Sequence, residues 1–148
     1  MKKNVEAASL LIFLTSIFLV PAVLAATYSK KEEIEKKIAS IKQREQELNA
    51  SVREVVLNYR KGALSRSEAK KKIKPYVSES IKLARQTVKL VIDNLDILYN
   101  DLVAQDRNYS NLDKKQVEFR IRETYQNLSR PGLEEEALKN ILDNTKFP

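Results

Sequence analysis

PYVSESIKLARQTVKLVIDNLDILYNDL, residues 75–102, carries the strongest pattern in this 148-residue chain. Val77, Ile81, Ala84, Val88, Val91, Leu95, Leu98 and Leu102 recur at alternating spacings of four and three. Four heptads of that alternation line one stripe of a single helix. A flanking row of Tyr76, Leu83, Leu90 and Ile97 widens the apolar face. A narrow seam serves a two-stranded coiled coil. The wider face predicts burial against two or more partner helices.

The segments on either side repeat the helical signal. Upstream, Ile34, Ile38, Ile41, Leu48, Val52, Val55 and Tyr59 continue the four-three spacing, with Glu45 as its one polar member. Ser29 and Glu32 fit a capping box at the start of that helix, and Gly62 fits a C-cap at its end. A second box at Ser65–Glu68, with Leu64 placed to staple onto Ala69, opens an elbow helix of two or three turns. Pro75 is expected to open or kink the helix that follows. Downstream, residues 106–111 read as a turn, and a helix is expected from about Leu112 to Ser129 with Val117, Ile121, Thr124 and Leu128 inward. Arg130-Pro131-Gly132 breaks it. A last helix starts near Leu133, where Glu134, Glu135 and Glu136 suit its N-terminal dipole.

The lengths agree. The first two long helices each measure roughly 45–50 Å, and the last two end to end come to about the same. The expected fold is therefore all-α: an elongated antiparallel three- to four-helix bundle built on heptad-patterned long helices.

Residues 1–25 speak to location. Lys2 and Lys3 precede an apolar run centred on Leu10–Val20, Pro21 interrupts it, and Val23-Leu24-Ala25 offers small residues before Ala26. A charged start, an apolar middle and a small-residue exit make a secretory signal peptide. The stretch from Ala7 to Ser29 is also uncharged and long enough to span a bilayer, so an uncleaved anchor is the alternative. A pilin-like stem that oligomerises is a third. Residues 26–148 then form one helical domain with an extracytoplasmic location: secreted, periplasmic or lumenal. Cleavage would remove Lys2, Lys3 and Glu6, leaving 25 basic and 19 acidic side chains, a net charge of +6.

Cysteine and histidine are both absent. That excludes disulfides, thiol catalysis, Cys/His zinc sites, His-ligated haem and a Ser-His-Asp triad. Carboxylate pairs such as Glu134–Glu136 or Asp93 with Asp96 attach to no apolar pocket that the pattern defines. No catalytic residue, metal ligand or cofactor is assigned, and the expected activity is binding or scaffolding.

The leading candidate site is a basic elbow: Arg60, Lys61, Arg66, Lys70, Lys71, Lys72 and Lys74, interrupted by Glu68. Such a tip fits a protein partner or an anionic membrane surface. Its plain alternative is a solvated turn. Nucleic acid is disfavoured, because no aromatic platform interleaves the lysines and the chain reads as exported. Asp106, Asn108 and Ser110 resemble the opening of a calcium loop, but Asn111 and Val117 stand where its glycine and closing glutamate belong, so a helix-capping linker is the better reading. Asn49, Asn108 and Asn127 begin glycosylation sequons.

Pro75-Tyr76-Val77 ahead of a long helix, then Ile92-Asp93-Asn94-Leu95-Asp96, resembles passages in the PsbQ-type extrinsic proteins of photosystem II. The similarity covers about half of the mature chain and rests on common helical residues; the mid-pattern loop of that family is missing. The resemblance implies a basic helical bundle in the thylakoid lumen, serving as an extrinsic subunit of a photosynthetic membrane complex.

Overall fold

A computed structural model describes residues 28–105 and 109–144. Five helices make up this part: α1 (Tyr28–Arg60), α2 (Arg66–Asp93), α3 (Leu95–Gln105), α4 (Lys114–Leu128) and α5 (Leu133–Asp143). Among the described residues there is no strand. The signal-peptide and anchor readings fall on residues outside the described part. Within it, no helix is long and apolar enough to cross a membrane.

α2 is the hub: it packs against α1, α4 and α5. Its wide apolar face meets that demand. Val77, Ala84, Val88 and Val91 are buried, and so are Ser80 and Thr87, which the seam alone does not include. A helix flanked by neighbours on both sides buries a broader arc than a coiled-coil stripe. Cross-helix ion pairs follow these contacts: Arg44 with Glu79 ties α1 to α2, Lys74 with Glu134 and Arg66 with Asp143 tie α5 to α2, and Lys114 with Asp96 ties α4 to α3.

The interior divides into two apolar clusters. One joins Ile34 and Ile38 of α1 to Val88 and Val91 of α2, Leu95 and Leu98 of α3, and Val117 and Ile121 of α4. The other joins Val56 of α1 to Ile73 and Val77 of α2 and to Leu138 and Ile141 of α5. The division falls where α4 gives way to α5: Leu128 and Leu133 belong to the first cluster, and Ala137 onward to the second. Ile81 packs against both. Near this division α1 contributes Glu45, which is buried. Loss of hydration pushes its carboxyl up to about 7, while the Lys42 charge pulls the other way.

Four local expectations change. α1 is already helical at Tyr28, so Ser29 lies inside the helix, and Glu32 reaches forward to Lys36 at 2.7 Å. Near the end of α1 the most buried side chain is Val56, with Val55 only half-buried. A 3.6-residue turn drifts against a strict heptad, which moves the inward position by one. Pro75 does not open a helix: α2 runs from Arg66 through it, so the expected elbow helix and the long helix are one element. Proline lacks the N–H that would pair with the Lys71 carbonyl, but both residues are exposed, so solvent can serve that group.

The interruption comes instead at Asn94. Its side-chain amide donates to the Leu90 carbonyl at 2.8 Å. Its own carbonyl accepts from the Ile97 and Leu98 amides at 3.0 and 3.1 Å. An asparagine that satisfies backbone groups on both sides closes one helix and starts the next. The apolar stripe survives the step, and Leu95, Leu98 and Leu102 remain buried.

α4 carries a cap that the sequence reading passed over. Asp113 accepts from the Gln116 amide and Gln116 accepts from the Asp113 amide, both at 2.9 Å. The Tyr99 hydroxyl donates to the Leu112 carbonyl at 2.9 Å and ties the approach to α4 onto α3.

Candidate interaction site at the basic elbow

The turn between α1 and α2 is tightly specified. Gly62 adopts φ 76°, a left-handed conformation that costs glycine little. Its amide donates to the Tyr59 carbonyl, and the Ala63 amide donates to Asn58, both at 3.0 Å. That pairing is a Schellman stop. The Ser65 hydroxyl then accepts from the Glu68 amide at 3.3 Å, while the Ser65 amide donates to the Glu68 carboxylate at 2.8 Å. The Ser65 hydroxyl also donates to that carboxylate at 2.7 Å, and this bond first, the Ser65 amide next and the Lys72 charge last hold the Glu68 carboxyl below the usual range. Leu64 packs on the cluster that contains Ala69, as a hydrophobic staple should.

The end of α5 closes against this elbow and takes up much of its charge. Arg60 donates to the Asn144 carbonyl at 2.7 Å. Arg66 pairs with Asp143 at 2.5 Å. Lys70 pairs with Glu135 at 2.7 Å, and Lys74 lies 3.5 Å from Glu134. Four of the seven basic residues therefore fasten α5 to the rest of the molecule. Glu134 and Glu135 do more than complement a helix dipole, and Glu136 pairs with Arg130 at 2.5 Å.

Lys61, Lys71 and Lys72 remain. All three are exposed, and among the described residues none forms an ion pair. Leu57, one turn before Lys61, is 48% exposed. The part of the elbow free to meet another molecule is thus three lysines beside one leucine.

Sequence reasoning missed Glu134, Glu135, Asp143 and Asn144 as partners of the elbow. A signal was present: a basic run at residues 70–74 and an acidic run at 134–136 are complementary in charge. Linear spacing alone does not bring them together.

The remaining candidates are dispersed. Asn49 is half-buried on α1, Asn127 is exposed in the last turn of α4, and Asn108 lies outside the described residues. Asp106 and Asn108 of the calcium-like stretch also lie outside them. Among the described residues no group of three or more acidic side chains gathers as a metal site would require. Asp93 pairs with Lys89 at 2.8 Å, and Asp96 pairs with Lys114.

No protein-family model, curated protein or solved structure matches this chain.

Proposed function

We propose that this chain is an extracytoplasmic, non-catalytic helical module that binds or scaffolds at a membrane-protein assembly, using the elbow tip as its contact. The observation that carries the reading is the exposed charge of Lys61, Lys71 and Lys72, none of them in an ion pair among the described residues, at a turn already closed by Gly62 and Ser65. None of the three ties one helix to another, whereas the other four fasten α5. A rigid tip of this kind meets an acidic protein surface fast and weakly, and salt screens the encounter.

The arrangement we adopt for the molecule is an elongated antiparallel bundle. α1 runs one way, α2 with α3 runs back, and α4 with α5 returns. The support is the order of the cross-helix pairs: Arg66 with Asp143, Lys74 with Glu134, then Asp96 with Lys114. Residue numbers rise along one partner and fall along the other. In this arrangement the elbow and the start of α1 lie at opposite ends, about 50 Å apart for 33 helical residues.

The test is a pull-down with the full chain from detergent-solubilised native membranes. Wild type should retain an acidic subunit at low salt and release it at high salt. Lys61→Gln, Lys71→Gln and Lys72→Gln together should lose that subunit while helicity and melting temperature stay unchanged. Retention by the triple variant, or a complex indifferent to salt, would reduce the elbow to a solvated turn.

A further inference from the structure

We infer that the groove between α2 and α4 beside Tyr125 is a ligand site, and that it takes the phosphate group of a small phosphorylated molecule. The site is separate from the elbow and does not depend on what the elbow contacts. Ser78, Lys82, Arg85, Gln86 and Lys89 of α2 and Tyr125 of α4 line a groove of about 470 Å³. Ser78, Lys82, Arg85 and Lys89 follow one another at spacings of four, three and four, so they share one side of the helix. Tyr125 packs on the first apolar cluster and walls the groove from α4.

The three cations have little structural use here. Arg85 is half-buried, and its Nε is buried with no hydrogen-bond partner among the described residues. A desolvated donor of this kind weighs against folding until an acceptor reaches it. Lys82 is exposed, and among the described residues neither it nor Arg85 forms an ion pair. Like charges three and four residues apart also work against a helix. Neither packing nor helix formation therefore accounts for Lys82, Arg85 and Lys89 on one stripe.

The surrounding carboxylates leave most of this charge standing. None of them lines the groove. Asp93 pairs with Lys89 at 2.8 Å. That bond and charge hold the Lys89 ammonium above its usual range, and the Tyr125 phenol adds a smaller share, which places the phenol near it. Glu79 is engaged by α1: Arg44 donates to it at 2.8 and 3.2 Å, and Lys82 adds only the last part of what keeps its carboxyl low. On α4, Glu118 pairs with Arg122 at 2.7 Å. Glu123 is exposed and two residues from Tyr125, more than half a turn around the helix.

Charge and size choose the ligand. With Lys89 offset by Asp93, the groove keeps the charges of Lys82 and Arg85. Two positive charges match a phosphate monoester near neutral pH, whereas a carboxylate leaves one over. A guanidinium and ammonium groups suit its three oxygens. The groove falls within the roughly 300–1,000 Å³ typical of small-molecule sites, so it has room for an organic body beside the Tyr125 ring as well as the phosphate.

The test is isothermal titration calorimetry on the full-length chain in a non-ionic detergent, with phenyl phosphate, inorganic phosphate and benzoate as probes. Phenyl phosphate should bind at one site, more tightly than either other probe, and more weakly in high salt. Arg85→Gln should weaken it about tenfold or more, the loss of a charge-assisted hydrogen bond. Lys82→Gln, at an exposed position that does not threaten the fold, should weaken it several-fold. Lys72→Gln at the elbow should leave it unchanged. Circular dichroism checks that each variant keeps the wild-type helix content. Absence of phenyl phosphate binding would overturn the proposal, as would benzoate or inorganic phosphate binding equally well. So would a folded Lys82→Gln variant that binds like wild type, or an equal loss from Lys72→Gln.

Discussion

Lys70 of α2 holds Glu135 of α5 at 2.7 Å, across 65 residues of sequence. The pair turns a lysine that reads as part of a binding patch into a fastener within the molecule. The Glu135 carboxyl lies below its usual range, chiefly through its hydrogen bond to Lys70 and then through that lysine's charge. α5 has few other ties of this kind: the Arg66–Asp143 and Lys74–Glu134 pairs stand on the same side of α2.

Lys70→Glu should therefore act on stability, not on partner binding. It sets two carboxylates side by side and loosens α5. Urea unfolding should show a modest fall in midpoint, since exposed pairs contribute little and salt screens them. Adding Glu135→Lys to the same chain should restore most of the loss. A double variant no better than the single one would mean that the pair does not hold α5.

Pro75→Ala should stabilise the protein. The substitution returns an N–H to the Lys71 carbonyl in the middle of α2 and leaves an exposed surface exposed. Proline inside a helix is disfavoured by ~3 kcal/mol relative to alanine, and the proline's restriction of the unfolded chain offsets part of that. A gain of about 1–2 kcal/mol in chemical denaturation is expected. Loss of stability would mean that the proline's restriction of the unfolded chain outweighs the hydrogen bond it removes.

The parts of the fold legible in the sequence are those set by neighbours three or four residues apart. The α2 stripe, the Ser65–Glu68 box, the Gly62 stop and the start of α5 at Leu133 depend on local geometry, and each stands where spacing places it. Pro75 does not open a new helix: Ile73 and Val77 on either side are almost wholly buried, and that packing carries α2 across a position that local propensity alone disfavours. Asn94 gave little warning, since one asparagine inside a strong apolar stripe looks like a surface residue. The elbow was legible as a cluster of charge. Its division into fasteners and free lysines was not, because Asp143 and Glu135 reach it only through the tertiary fold.

Leu95→Asp should unfold the described domain. Leu95 is 4% exposed and sits between Asn94 and the buried Leu98. A carboxylate there loses its water without gaining a partner, which costs several kcal/mol on the scale of ~5–15 kcal/mol that holds a domain together. Loss of the cooperative melting transition by circular dichroism is the expected reading. A variant that melts like wild type would place this position outside the core.

Glu45 provides the pH prediction. Its folded carboxyl titrates near 7, well above the 4.5 of a free glutamate, because burial disfavours the charge. Above pH 7 the group is ionised in both states, and the folded state bears the cost. As the pH falls from about 7 towards 4.5, the folded state binds the proton first, so stability rises through that window. Glu79 and Glu135 act in the opposite sense: Arg44 and Lys70 hold their carboxyls low, and their contribution fades only as the pH drops below the ordinary glutamate range. The interval between is thus governed by Glu45. Glu45→Leu should raise stability at pH 8 by about 1–2 kcal/mol, with solvent screening at the helix interface keeping the gain below the full shift. It should also flatten the rise between pH 7 and 5, so that the variant and wild type converge in weak acid except for the added apolar contact. Denaturation midpoints measured at pH 5, 6, 7 and 8 decide the matter. A wild-type profile that is already flat there, or a Glu45→Leu variant that loses stability at pH 8, would show that the carboxylate has a partner or a share of solvent that relieves its burial.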